Sequence, residues 1–126
     1  MLEFNELMFF DQYPDLTWIY EALKDSLLAR YDDVQVKVSK SQISFYNRHM
    51  FAMVSLPLRH KKDWPQEFLM VSFGLEHKLE NDRIAVAVEP YPNRWTHHVI
   101  VESPEEIDDE LLAWLDEAYE FSNSKR

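Results

Sequence analysis

The sequence predicts an α+β fold: a mainly antiparallel sheet of about six short strands, with N-terminal and C-terminal helices packed on one face. Two observations carry this. Apolar residues recur at helical spacing near both ends of the chain and at period two between them. The connections between the period-two segments are shorter than the crossovers that parallel pairing demands. Helices that bury one stripe and a sheet that buries one face then satisfy each other as two layers.

Residues 3–10 hold Phe4, Leu7, Met8, Phe9 and Phe10, a helical turn or two that packs on the core. Pro14 and Asp15 open a firmer helix near 15–31, with Asp15 as its cap. Leu16, Ile19, Tyr20, Leu23, Leu27 and Tyr31 form its apolar stripe, and Trp18 is expected inside as well. The period then changes. Val34, Val36 and Val38 alternate with Gln35 and Lys37, and Ile43 and Phe45 alternate with Ser44 and Tyr46. Asn47-Arg48-His49 is a turn, Phe51 to Leu58 a third strand and Arg59 to Gln66 a polar loop. Phe68 to Phe73, Ile84 to Val88 and His98 to Glu102 complete the strands. Ser103-Pro104-Glu105-Glu106 signals a helix start, with Asp108 as a second cap, and Ile107, Leu111, Trp114, Leu115 and Ala118 give a stripe for a helix near 107–121. The whole chain, 1–126, reads as one domain with a frayed polar tail at 122–126. Leu23, Val36, Phe45, Val71, Val86, Leu111 and Leu115 are expected in the core.

Composition excludes more than it proposes. The chain has no cysteine, hence no disulfide and no thiol nucleophile, and a cytoplasmic location is expected. No apolar run is long enough to span a membrane, and the first residues lack a signal-peptide pattern. Gly74 is the only glycine. Phosphate cradles, dinucleotide fingerprints and nucleophile elbows all need glycine where backbone meets ligand or turns sharply, so those frames are absent. No cofactor is expected.

The net charge of −10 disfavours nucleic acid, although its distribution is uneven. Residues 34–62 contain no Asp or Glu and hold Lys37, Lys40, Arg48, Arg59, Lys61 and Lys62, with His49 and His60. Such a segment makes a local anion-binding face or pairs with the acidic helices; neutralisation by the helices is the reading favoured for an acidic protein.

Alternation puts Val36, Phe45, Val54, Val71, Phe73, Val86, Val88 and Val99 on the face that the helices cover. The other face collects Lys37, Ser44, Tyr46, Phe51, Met53, Ser55, Met70, Ser72, His98 and Ile100. Three roles compete for it: an open solvated face, an interface for a second copy, and a shallow ligand groove. His97 and His98 are strand neighbours pointing to opposite faces, so they do not share a metal, and no metal site is expected. The acidic C-terminal helix offers at most weak binding of hard cations. Arg94 and Trp95 are read as a packing pair at the core edge, with an anion-binding role as the alternative.

The string Val36-Lys37-Val38-Ser39-Lys40-Ser41-Gln42-Ile43-Ser44-Phe45, then Arg48 and Phe51-Ala52, resembles one half of an uncharacterised bacterial domain-of-unknown-function family. His97-His98-Val99 and Ile107 through Trp114 to Ala118-Tyr119 resemble the other half, over about residues 16–121. The resemblance implies a small α+β domain, stand-alone or appended to larger proteins, some with predicted nuclease parts. The layout is also similar to frataxin-like domains by fold analogy.

The reading is of an accessory or binding module. It would hold an anionic small molecule or a protein partner on the sheet face, with homodimerisation through that face as one form. The expected anion site is Lys40, Arg48 and Arg94, with Tyr46, Trp95 and His98 at its edge, and no catalytic residues are assigned. The rival readings are a small hydrolase using His98, and weak cation binding by the acidic helix.

Overall fold

A computed structural model describes residues 2–57 and 61–124. Helix α1 (Phe4–Phe9) is followed by α2 (Leu16–Arg30), β1 (Gln35–Val38), β2 (Ile43–Tyr46), β3 (Met50–Ser55), β4 (Leu69–Leu75), β5 (Ile84–Tyr91) and β6 (Arg94–Val101). A 3-10 turn (Pro104–Glu106) then leads into α3 (Asp109–Ser124). The six strands form one sheet of order β1-β2-β3-β4-β6-β5, antiparallel throughout. This is the predicted α+β architecture. The expectations for Leu58, for Arg59 and His60, and for the last two residues of the tail fall outside the described residues.

Helix α2 places Tyr20 against Phe45 of β2, and α3 places Trp114 against Phe73 of β4 and Tyr119 against Phe51 of β3. Both helices therefore cover the same face. Leu23, Phe45, Val71, Leu111 and Leu115 are fully buried between the layers, while Val36 and Val86 are half-buried. Trp18 is 66% exposed, contrary to expectation. It lies one residue off the stripe of Leu16, Ile19, Leu23 and Leu27, and residue size does not override helical phase.

Two bulges revise the strand faces. Phe45 pairs with Ala52 but Tyr46 pairs with Met50, leaving Phe51 unpaired between them. The extra residue turns Phe51 to the helix side, where it is 2% exposed against Tyr31 and Tyr119. In β5, Ile84 pairs with Val99 and Val86 with His98, so the parity shifts at Ala85. Val86 and Val88 thereby join His98 and Thr96 on the open face, instead of facing the helices.

The segment ends also differ. Asp15 makes no side-chain cap, and α2 is entered through turn bonds from Leu16 N–H to the Tyr13 carbonyl and Thr17 N–H to the Pro14 carbonyl. Ser103 starts only the 3-10 turn, and Asp108 caps α3 by accepting the Leu111 amide at 3.0 Å. The β5–β6 connection is a two-residue turn, Pro92-Asn93, with Asn93 at φ 61°. Proline then asparagine at positive φ is the pattern of a type II turn, and it lets β6 begin at Arg94 rather than His98.

The expected tail is helix up to Ser124. Ser122 is buried, and its hydroxyl donates to Asn47 Oδ1 at 2.6 Å and lies 3.1 Å from the His49 carbonyl. The β2–β3 turn clamps this helix end. Asn47 Nδ2 donates to the Tyr119 carbonyl at 3.1 Å and to Asn123 Oδ1 at 3.0 Å, and His49 Nδ1 lies 3.1 Å from the Ser122 carbonyl. Carbonyls that a helix C-terminus leaves orphaned are thus satisfied by a turn more than 70 residues away.

Candidate functional site on the open sheet face

The face opposite the helices is ordered by register. Lys37 pairs with Ser44, Ser44 with Met53, Met53 with Ser72, Ser72 with His98 and His98 with Val86, one residue from every strand in a single row. The next row holds Ser55, Met70 and Ile100. Short hydroxyl and thioether side chains dominate. Glu89 is the only acid in any strand, and its carboxylate accepts the Asn93 amide at 3.0 Å. A chain with 23 acids therefore presents a sheet face almost free of them.

Ser72 Oγ and His98 Nδ1 are 2.7 Å apart across β4 and β6. Burial lowers the His98 pKa, so the imidazole is neutral near pH 7. Its ring borders a hollow of about 460 Å³ shared with Ser55, Trp64, Phe68, Met70 and Val86. The pair lacks the parts of a nucleophilic centre. Ser72 is 1% exposed and lies inside β4, which is hydrogen-bonded to β3 on one side and β6 on the other. Its backbone is paired on both sides in the ladder, whereas an oxyanion donor needs an amide free to face the reacting group.

At the β5–β6 turn end of the sheet lies a hollow of about 570 Å³ that takes residues from both faces: Gly74 and Thr96 from the open one, Trp95 and Phe121 from the helix side, and Tyr91 and Arg94 beside the turn. Gly74 and Thr96 also line a smaller cavity of about 150 Å³ with Met50, Met53 and Ser72, so the two are neighbours. The Arg94 guanidinium lies over the Phe121 ring at 5.4 Å, and Lys78 lies over Trp95 at 5.8 Å. The expected Arg94–Trp95 packing pair is thus replaced by two separate cation–π contacts. The cause is strand alternation: Trp95 pairs with Leu75 in the core-facing column, while Arg94 opens the strand beside the turn.

The six expected site residues divide. Arg48 and Tyr46 lie at the β2–β3 turn, at the same end of the sheet as Arg94. Two intervening strands, β3 and β4, separate them, roughly 10–14 Å at about 4.8 Å per strand. Lys40 lies in the β1–β2 turn, at the opposite end. His98 sits mid-strand on the open face, and Trp95 belongs to the other face. The three cations therefore do not meet at one point. Sequence reasoning missed Gly74, Tyr91 and Phe121 as borders of the larger hollow. The signal for Gly74 was available: it is a lone glycine inside a strand.

The charge pattern is the clearest electrostatic result. The carboxylates of α3 and its entry take their partners from elsewhere: Asp116 from Arg30 and Tyr31, Glu117 from His77, and Asp108 and Glu110 from Arg83. Among the described residues, Lys37, Lys40, Arg48 and Arg94 make no ion pair or hydrogen bond to a carboxylate. For the described residues of the basic segment, the expected neutralisation by ion pairs to the acidic helices is therefore not found. Those ion pairs join α3 and its entry to Arg30 or the β4–β5 connection, whereas Lys37 faces the other side of the sheet. Among the described residues, no group of three or more His, Asp or Glu side chains is placed to hold a metal ion.

His97 is fully buried on the helix side, stacked on Phe73 at 5.2 Å. Its Nε2 accepts the Leu79 amide at 3.0 Å, so the ring carries its proton on Nδ1. Burial lowers its pKa, with a smaller contribution from His77. It pins the β4–β5 connection and has no access to a ligand.

A family model described as a domain of unknown function (DUF5655) matches residues 8–122. The chain belongs to this family. The match takes in α2, all six strands and most of α3, including every residue that lines the three hollows. The chain matches no curated protein and no solved structure.

Proposed function

We propose that the domain is a non-catalytic binding module that takes an anionic small molecule on the open face of its sheet, in the cytoplasm. The observation that carries this is the set of cations left without carboxylate partners among the described residues: Lys37 on the face itself, with Lys40, Arg48 and Arg94 at its ends. Exposed cations in a protein of net charge −10 ordinarily find acids, yet the ion pairs among the described residues go to Lys24, Arg30, His77, Lys78 and Arg83. The strand residues around these cations add hydroxyls and one neutral imidazole, which orient a ligand without repelling it.

The test is a titration of the isotope-labelled protein with phenyl phosphate, adenosine monophosphate and a short single-stranded oligonucleotide, read by amide chemical shifts. Saturable shifts confined to β2, β3, β4 and β6, lost on raising the salt, support the reading. Shifts on the helix layer alone, or none with any probe, overturn it. Sedimentation at several concentrations tests the competing occupant, since a dimer that protects these strands from exchange assigns the face to a second copy.

A further inference from the structure

We propose that Gly74 forms the floor of a slot for a planar ligand carrying a phosphate or carboxylate, with Arg94 as its anion contact; this rests on the anion-binding reading above. Gly74 lies inside β4, where glycine weakens a strand because it is flexible when unfolded and packs nothing when folded. Neither usual excuse for a strand glycine applies. Its φ is outside the left-handed region, so the backbone accepts any L residue. A Cβ built there meets only the Trp95 carbonyl oxygen, at 3.9 Å, an ordinary contact. The protein itself does not need the space. A group approaching from outside does.

Gly74 and Thr96 line both the cavity of about 150 Å³ and the hollow of about 570 Å³. On one side stand Met50 and Met53, soft side chains that adapt to a flat ring. On the other stand Tyr91, 70% exposed, and Arg94, its partner across the turn. The Arg94 guanidinium lies over the Phe121 ring at 5.4 Å and, among the described residues, has no carboxylate partner. A guanidinium fork selects planar or tetrahedral oxyanions. An exposed tyrosine ring and a floor without a side chain select a flat group beside them. Together they describe an aromatic or heteroaromatic ring bearing one anionic group, lying across Gly74.

The lone glycine makes the test direct, because one amide signal reports on the slot. The full chain is titrated with phenyl phosphate and with adenosine monophosphate while the Gly74 and Thr96 amides are followed, and melting temperatures are recorded for each variant. The expected result is saturable shifts at both amides in the wild type. Gly74→Ala should weaken binding at least tenfold while melting no lower than the wild type, and Arg94→Gln, a change at an exposed side chain, should weaken it comparably. Arg30→Gln, a cation of the helix layer paired with Asp116, should leave affinity unchanged. If a probe binds and neither Gly74→Ala nor Arg94→Gln weakens it, the slot is wrong while the anion-binding reading stands. If neither probe binds the wild type at millimolar concentration, both are wrong.

Discussion

Ser72 and His98 are cross-strand partners joined by a 2.7 Å contact from hydroxyl to Nδ1, at the centre of a row that crosses all six strands. The contact fixes the imidazole at the border of the hollow that holds Trp64 and Val86. Replacing Ser72 by Ala leaves a half-buried ring nitrogen without its partner. The expected cost is about 1 kcal/mol by denaturant titration, within the usual range for one side-chain hydrogen bond. A larger loss, together with lost turnover of any ester, would instead point to chemistry at this pair.

Stability should fall with pH in a window that belongs to histidine. Burial lowers the pKa of both His97 and His98 below the ordinary 6.5. As pH drops through 6.5 the unfolded chain takes up protons that the folded chain refuses, so unfolding gains. The loss begins near that value, grows, and levels off once the depressed folded values are passed. His77 acts with the opposite sign because Glu117 raises its pKa: its contribution is present below 6.5 and fades as pH rises through the raised value. Both partners are about half exposed, so solvent screening leaves that term small. Glu6 and Asp108 have lowered pKa values, so their contributions are lost only in more acid solution, below the ordinary carboxyl range. Denaturation midpoints should therefore decline between pH 7 and pH 5, and His98→Gln should flatten part of that slope. An unchanged midpoint across the window would remove the histidines from the account.

The end of α3 should depend on a turn distant in sequence. Asn47 donates to the Tyr119 carbonyl and to Asn123, and accepts from the Ser122 hydroxyl and, at 3.3 Å, the His49 amide. Asn47→Ala removes all four contacts. The expected loss is about 1–3 kcal/mol for leaving buried polar groups unpaired. Amide exchange should quicken in residues 121–124 before it does in the strands. Uniform acceleration across the sheet would mean that the clamp belongs to the global core.

The periodic elements were readable because burial imposes a period, and the antiparallel order followed from short connections. Helical phase fixed the positions of Leu23 and Leu27, and the same phase expelled Trp18, which its size alone had placed inside. The bulges at Phe51 and Ala85 were not readable, because one unpaired residue leaves no mark in composition yet reverses every face beyond it. That is why Val86 appeared in the core list and borders the His98 hollow instead. The candidate site was legible only in part. The basic segment was visible as a charge count, but which acids it would meet depended on the sheet standing between Lys37 and the acidic helix. Lys40, Arg48 and Arg94 looked convergent because all three lie at strand ends, and antiparallel strands alternate those ends.

The last prediction concerns how α1 is held. Its six residues are too few for a helix to persist alone in water. Glu6, 1% exposed, accepts from Lys24 Nζ at 2.8 Å, from the Tyr20 hydroxyl, and from the Glu3 amide at 2.7 Å. Burial alone would raise its pKa, but the bonds from Lys24 and Tyr20 overcome this and hold it below the ordinary value. Lys24→Met removes the only cation from a buried carboxylate, and the expected destabilisation is about 3–5 kcal/mol. Exchange at residues 4–9 should rise with it, because the ion pair joins α1 to α2 directly. Replacing the whole network, as Glu6→Leu, Tyr20→Phe and Lys24→Met together, removes the stranded charge along with its partners. That triple variant should recover most of the loss, since an apolar substitute for a buried ion pair is often neutral. Recovery would show that the network specifies where α1 docks more than it stabilises the fold. Failure to recover would assign the stability to the bonds themselves.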